Sequence, residues 1–245
     1  MMAGPLRKPR HAARRMCLRV REDARFGYDF LRQRWRRLLL AFVGVLLPLW
    51  VFGELAEDLH AGEAFFFDAP LLQLAHGLAG DAWNGFFVQV SALGYLGGVV
   101  PVDVMLLLTL ALRQASREGL FAGVSIIGSA WLNLGAKQLF ARQRPTLWES
   151  IAPESSFSFP SGHAMGSMTL ACVVVLLAWR TRWRWPLLAM ASVFVALVGL
   201  SRIYLGVHYP SDILAGWTAA ITWTVVTYLL VFTRAQRPWL QRDDT

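Results

Sequence analysis

Most of the side chains that could act together chemically fall in three short stretches. Lys137 is followed after six residues by Arg144 and Pro145, then come Pro160, Ser161, Gly162 and His163, and then Ser201 and Arg202, followed after five residues by His208 with Asp212 four residues beyond. They supply three strong cations, two imidazoles, a carboxylate and a glycine beside a helix start. Guanidinium groups meet phosphate oxygens through paired N–H bonds, and lysine adds a mobile point charge, so Lys137, Arg144 and Arg202 suit a phosphate dianion. Ser161 and Gly162 after a proline read as a helix N-terminus, where outward N–H groups and the dipole favour the same anion. Gly162 lets the ligand approach the backbone. Two imidazoles in one anionic pocket divide the labour, one attacking phosphorus and one protonating the leaving oxygen. If residues 208–212 form a helical turn, Asp212 shares a face with His208 and accepts from one ring nitrogen, freeing the other. Pro210 is equally compatible with an irregular first turn.

These stretches must be positioned by membrane helices. The 245 residues are 56% apolar and only 16% charged, against roughly 25% charged in soluble domains. This predicts an all-α polytopic membrane protein with about six spans of roughly 20 residues each. A basic arm covers residues 1–37, a single membrane domain residues 38–233 and a short tail residues 234–245. The spans are expected near Leu38–Phe52, Tyr95–Leu112, Leu120–Phe140, from Ser161 onward, Trp185–Ile203 and Ser211–Phe232. Phe65–Gly94 is aromatic, short and interrupted by polar residues, and reads as helices lying in the membrane interface.

Charge tests the layout independently. With the arm, the second-to-third loop, the fourth-to-fifth loop and the tail inside, twenty of the 24 Lys and Arg are cytoplasmic, as the positive-inside rule asks. The other four, Lys137, Arg142, Arg144 and Arg202, gather at outer helix ends, and an anionic ligand accounts for cations on that side. The formal charge of +8 therefore points to anionic lipid headgroups rather than nucleic acid. Both termini are expected in the cytoplasm, with the three stretches facing outside or periplasm. Only two lysines among the basic residues suggest a GC-rich bacterial gene.

The spacing K-x6-R-P, P-S-G-H and S-R-x5-H-x3-D resembles the type 2 phosphatidic acid phosphatase superfamily, with every defining position filled from Lys137 to Asp212. The resemblance implies that His208 is the nucleophile forming a phosphohistidine, Asp212 its orienting partner and His163 the general acid. It implies that Lys137, Arg144, Ser161, Gly162 and Arg202 bind the phosphate. It implies no metal and no cofactor. The substrates it implies are phosphatidic acid, phosphatidylglycerol phosphate or a polyprenyl diphosphate, hydrolysed at the outer face of the inner (plasma) membrane.

Two alternatives use the same residues: a lipid phosphotransferase, in which another lipid's hydroxyl captures the phosphoryl group, and a relic lipid-binding protein. A vanadate-dependent haloperoxidase shares such an anion site by resemblance, but a bundle of apolar spans argues against it. Arg142 is expected to touch headgroups only, and His60 and His76 to be interfacial polar residues. Asp103, a carboxylate within the second span, is expected to make a structural hydrogen bond to a neighbouring span. Cys17 and Cys172 fit no metal spacing.

Overall fold

The computed structural model describes Arg32, residues 34–232 and residues 238–239. Most of the basic arm, Cys17 and most of the tail lie outside the described residues. Among the described residues eight helices follow one another: α1 (Arg34–His60), α2 (Asp68–Gly77), α3 (Asp81–Leu93), α4 (Val99–Leu112), α5 (Ser116–Phe140), α6 (Gly162–Ala178), α7 (Arg184–Tyr204) and α8 (Pro210–Val231). Four of them, α1, α5, α7 and α8, are long and apolar enough to cross a membrane. The expected second and fourth spans are the shorter apolar helices α4 and α6, of 14 and 17 residues. At 1.5 Å per residue they extend about 21 and 26 Å, against a hydrocarbon core of about 30 Å.

Element boundaries differ from expectation where local chemistry intervenes. The first helix does not stop at Phe52 but runs to His60, past Glu54, Glu57 and Asp58. Leu55 and Leu59, one turn apart, pack with Phe159 and Ala215, so the extension has an apolar stripe to bury. A single wide turn at Phe42–Leu46 sits just before Pro48, whose ring nitrogen cannot donate to the preceding turn. The second span starts at Val99 rather than Tyr95, because the chain turns through Gly97 and Gly98. A Cβ on Gly98 would meet the Leu93 carbonyl oxygen at 2.2 Å, so only glycine allows that approach. The mixed stretch before it, Phe65–Gly94, forms two short helices, α2 and α3, in keeping with its reading as helices rather than a span.

Helix α6 is the centre of the bundle and packs on α5, α7 and α8, while α1 lies along α8 and α3 along α7. It is apolar around its whole circumference, as a helix surrounded by others should be. At one end Leu110, Phe121, Ala122, Val173, Leu177 and Phe232 form a buried cluster. Trp239 closes this end, its N–H donating to Glu118 Oε1 at 2.7 Å and its indole N–H to the Leu177 carbonyl at 2.8 Å. Between apolar spans, packing and polar contacts hold helices together more than apolar burial does. The Ser129–Thr169 hydroxyl pair, 2.7 Å apart between α5 and α6, is such a contact. The three polar stretches meet at the opposite end.

Candidate active site

Three elements deliver the site. Helix α5 ends at Phe140, and Ala141 takes the left-handed conformation at φ 44°, turning the chain sharply. Beyond that turn Arg142 reaches Asp212 while Arg144 reaches His208, one on each side of the His208–Asp212 pair. Helix α6 begins at Gly162, capped by the Ser161 hydroxyl accepting from Ala164 N–H. Helix α7 ends at Tyr204, and a tight turn with Gly206 at φ +66° swings the chain into His208 and the first turn of α8. Trp148 packs against Gly206 where a Cβ would stand, which leaves that turn to glycine alone. His76 stacks on the same Trp148 with ring centroids 4.2 Å apart, so His76 is a packing residue.

His208 is completely buried. Its Nδ1 lies 3.3 Å from Asp212 Oδ2 and 3.3 Å from Ser158 Oγ. Its Nε2 faces the other way, 3.1 Å from Arg144 Nη1. Burial pushes the imidazole down to about 4, against the raising effect of the Asp212 hydrogen bond, with Arg144 and Arg202 lowering it further. The ring is therefore neutral at ordinary pH and its Nε2 lone pair is available. Asp212 Oδ2 also accepts from Ser158 Oγ at 2.5 Å and Tyr209 N–H at 2.9 Å, in an irregular first turn of the kind Pro210 allows.

The three expected cations converge here. Lys137 Nζ donates to Ser156 Oγ at 2.9 Å and the Phe157 carbonyl at 2.6 Å. Arg144 donates to the Ser156 carbonyl at 2.7 Å and the Val207 carbonyl at 2.7 Å, which fixes its plane beside His208. Arg202 is almost fully buried, bonded through Nη1 to Ser91 Oγ on α3, and its Nε–H has no protein acceptor among the described residues.

The sequence reading missed the residue at the centre of this group. Glu154 pairs through Oε2 with Arg144 at 2.7 Å and through Oε1 with Arg202. The same carboxylate stands 3.8 Å from His163 Nδ1 and 4.0 Å from His208 Nε2. Burial would raise its pKa, but Arg202, His208, Arg144 and His163 outweigh burial and hold it at about 2. Glu154 thus puts two anionic oxygens between the two imidazoles, where the phosphate is expected. Glu149 lies in the same loop, and no spacing distinguishes one from the other.

Other residues take places different from those expected. Ser161 is fully buried and its N–H donates to the Asp212 carbonyl at 3.1 Å, so its backbone is already committed. No protein group among the described residues accepts from the N–H of Gly162 or His163. Those two amides are the ones left for an anion. Asn133 Oδ1 lies 3.1 Å from where a Gly162 Cβ would be, so it shares the space that glycine opens. The His163 ring packs on Tyr95 at 5.1 Å. Arg142 is not a headgroup contact but a nearly buried ion-pair partner of Asp68 and Asp212. Asp103 is buried, yet among the described residues its Oδ1 has no hydrogen-bond partner, in place of the expected structural bond. It lines a cavity of about 590 Å³ that runs from Lys137, Glu154 and His163 down between α4, α5 and α6. Among the described residues no group of three or more His, Cys, Asp or Glu side chains could hold a metal ion.

A buried imidazole backed by a carboxylate and faced by three cations, at one end of a bundle of apolar helices, is equipped for phosphoryl transfer at a membrane. The PAP2 superfamily pattern matches residues 118–236. Phosphatidylglycerophosphatase B of Bacillus subtilis is 32% identical over 146 residues, 56% of this chain and 70% of that protein. Undecaprenyl-diphosphatase of Sulfolobus acidocaldarius is 30% identical over 179 residues, 71% of this chain and 83% of that protein. A PAP2-type phosphatidylglycerolphosphate phosphatase from Bacillus subtilis, known from its crystal structure, shares the fold at 24% identity with a TM-score of 0.65, over 74% of this chain and 94% of the other. The chain belongs to the PAP2 superfamily and is a multi-pass membrane lipid phosphatase. The matched segment holds all three motifs, whereas Asp68, Ser91 and Tyr95 come from helices and turns before it.

Proposed function

We propose that this chain hydrolyses a phosphomonoester or diphosphate of a lipid through a phosphohistidine on His208, at the outer face of the plasma membrane. The observation that carries this reading is the orientation of the His208 ring, with Nδ1 toward Asp212 and Nε2 toward Arg144. The nitrogen free of the carboxylate is the one in the cationic pocket.

The reaction follows from these positions. Lys137, Arg144, Arg202 and the N–H groups of Gly162 and His163 hold the phosphoryl oxygens in place of Glu154. Nε2 attacks phosphorus in line, the P–N bond forms, and the P–O bond to the lipid breaks as His163, which takes up a proton when the phosphate dianion binds beside it, gives that proton to the leaving oxygen. The ring keeps its proton on Nδ1, and Asp212 stabilises the cationic phosphohistidine. Neutral His163 then takes a proton from a water whose oxygen attacks phosphorus. The P–N bond breaks, inorganic phosphate leaves, and both imidazoles regain their starting protonation.

Two features support a lipid as substrate. The cavity that starts at His163 continues along Val104, Ile127 and Leu134, and these three side chains are each more than half exposed on the bundle's apolar surface. A chain attached to the phosphate can leave the site sideways along them. The outer-face assignment rests on the distribution of Lys and Arg. We take the substrate from phosphatidic acid, phosphatidylglycerol phosphate and polyprenyl diphosphates.

The test is phosphate release by the detergent-solubilised protein from a panel of these lipids, with and without chelator. At least one should be hydrolysed in chelator, and His208→Ala should release nothing. A need for a divalent metal, or full activity in His208→Ala, would overturn the mechanism. Transfer of the phosphoryl group to an added lipid alcohol without free phosphate would make the protein a phosphotransferase.

A further inference from the structure

We propose that Arg142 and Asp68 are positioning residues that act through Asp212 on the nucleophilic imidazole; the proposal rests on the reading of His208 as nucleophile.

The two oxygens of Asp212 have separate duties. Oδ2 takes the Tyr209 N–H and the Ser158 hydroxyl and faces His208 Nδ1, whereas Oδ1 is held by Arg142 Nη1 at 2.5 Å. A carboxylate free to rotate about its Cβ–Cγ bond would present either oxygen to the ring. Clamping the second oxygen removes that freedom and keeps the imidazole in one orientation.

Arg142 is itself fixed on every side. Its Nη1 also donates to Ser211 Oγ at 2.8 Å, and its Nη2 donates to Asp68 Oδ2 at 2.8 Å. Its guanidinium carbon lies 4.0 Å from the Tyr209 ring centroid. Asp68 completes the frame by accepting the Ser211 N–H at 2.9 Å and the Ser211 hydroxyl at 2.6 Å. The start of α2 is thereby bolted to the first turn of α8, one residue before Asp212. The charges alternate as carboxylate, guanidinium, carboxylate. Asp68 offsets Arg142, so Asp212 keeps its strength as an acceptor for His208.

This arrangement sets Arg142 apart from the pocket cations. Lys137, Arg144 and Arg202 crowd the Glu154 carboxylate, and Arg142 is committed behind Asp212. Its removal should slow attack on phosphorus without weakening anion binding.

The experiment compares the full-length enzyme in detergent with Arg142→Gln, Asp68→Asn, the double variant, Arg142→Lys and His208→Ala. The substrate is an aryl phosphate, whose leaving group needs little protonation, and vanadate inhibition is measured in parallel. Arg142→Gln should lower kcat by about 10–100-fold, the range typical when the outer partners of a working imidazole are removed. KM and the vanadate inhibition constant should stay within about threefold of wild type. Asp68→Asn should act in the same direction, and the double variant should be no worse than Arg142→Gln alone, as members of one unit behave. Arg142→Lys should recover part of kcat. A rise in KM with weaker vanadate binding, strictly additive losses, or a wild-type kcat in folded variants would each overturn the proposal. If Arg142→Gln does not fold, Asp68→Asn and Arg142→Lys decide by the same split of kcat from KM. Full activity in His208→Ala would instead remove the nucleophile reading, a result distinct from any of these.

Discussion

Glu154 Oε2 stands 2.7 Å from Arg144 Nη2, in the space between the two imidazoles. An internal carboxylate therefore binds the cations that the proposed mechanism assigns to the phosphate. Held at about 2, Glu154 is ionised at every working pH, so it competes for the site without titrating. Glu154→Gln should free Arg144 and Arg202 and tighten vanadate inhibition by about tenfold, the equivalent of about 1.4 kcal/mol. Weaker vanadate inhibition in a folded variant would show that Glu154 helps to assemble the pocket rather than occupying it. Its ion pairs also predict an acid effect on stability. Because the folded value is depressed from 4.5 to about 2, this contribution is complete above pH 4.5 and is lost as pH falls through 2.

The different duties of the histidines predict different responses to the leaving group. His208→Ala removes the attacking nitrogen and should abolish turnover of lipid and aryl phosphates alike. His163→Ala removes the proton donor, worth about 10²–10⁴-fold for a poor leaving group such as a lipid alkoxide. It should lose far less on a nitrophenyl phosphate, and it should still accumulate acid-labile phosphohistidine. Equal losses on both substrates, with normal vanadate binding, would show that His163 is not the leaving-group acid.

His208 should stay neutral where an ordinary histidine is charged. Burial lowers it from 6.5 to about 4, so at pH 5.5 the resting ring should be unprotonated. Nitrogen chemical shifts of histidine-labelled protein, assigned with His208→Ala, report this directly, and half-protonation near pH 6.5 would contradict it. The sign for stability follows. Between pH 6.5 and 4 the unfolded chain binds this proton and the folded chain does not, so wild type should lose stability on acidification faster than His208→Ala.

Topology is open to labelling in intact cells. In a chain with Cys17 and Cys172 replaced by serine, a cysteine at the exposed Leu147 should react with an impermeant thiol reagent from outside. One at Thr181, beyond the far end of α6, should not. The reverse pattern would invert the orientation.

The type and order of the chemical groups were legible from Lys137 to Asp212 because phosphate chemistry demands those residues, and two of the motifs are short enough to be read within one turn or loop. Apolar runs likewise revealed the helices, since a bilayer leaves a backbone few other ways to satisfy its hydrogen bonds. Helix limits were less legible: Leu55 and Leu59 carry α1 past its acidic stretch only because Phe159 and Ala215 receive them. Glu154, Ser158, Ser91 and Asp68 were invisible for a related reason. Each is an ordinary polar residue in sequence, and becomes part of the site only when a loop or helix from 48 to 143 positions away sets it against Arg202, Ser211, Asp212 or His208. Arg142 shows the division most clearly. Its charge could be read from sequence, but whether it faced a lipid or a carboxylate depended on Asp68 and Asp212 both reaching it at the start of α8. The sequence by itself determined which groups were available for a phosphate. Tertiary packing decided which cations stand in the pocket, because Asp68 and Asp212 hold Arg142 behind the His208–Asp212 pair while Arg144 and Arg202 stay beside Glu154.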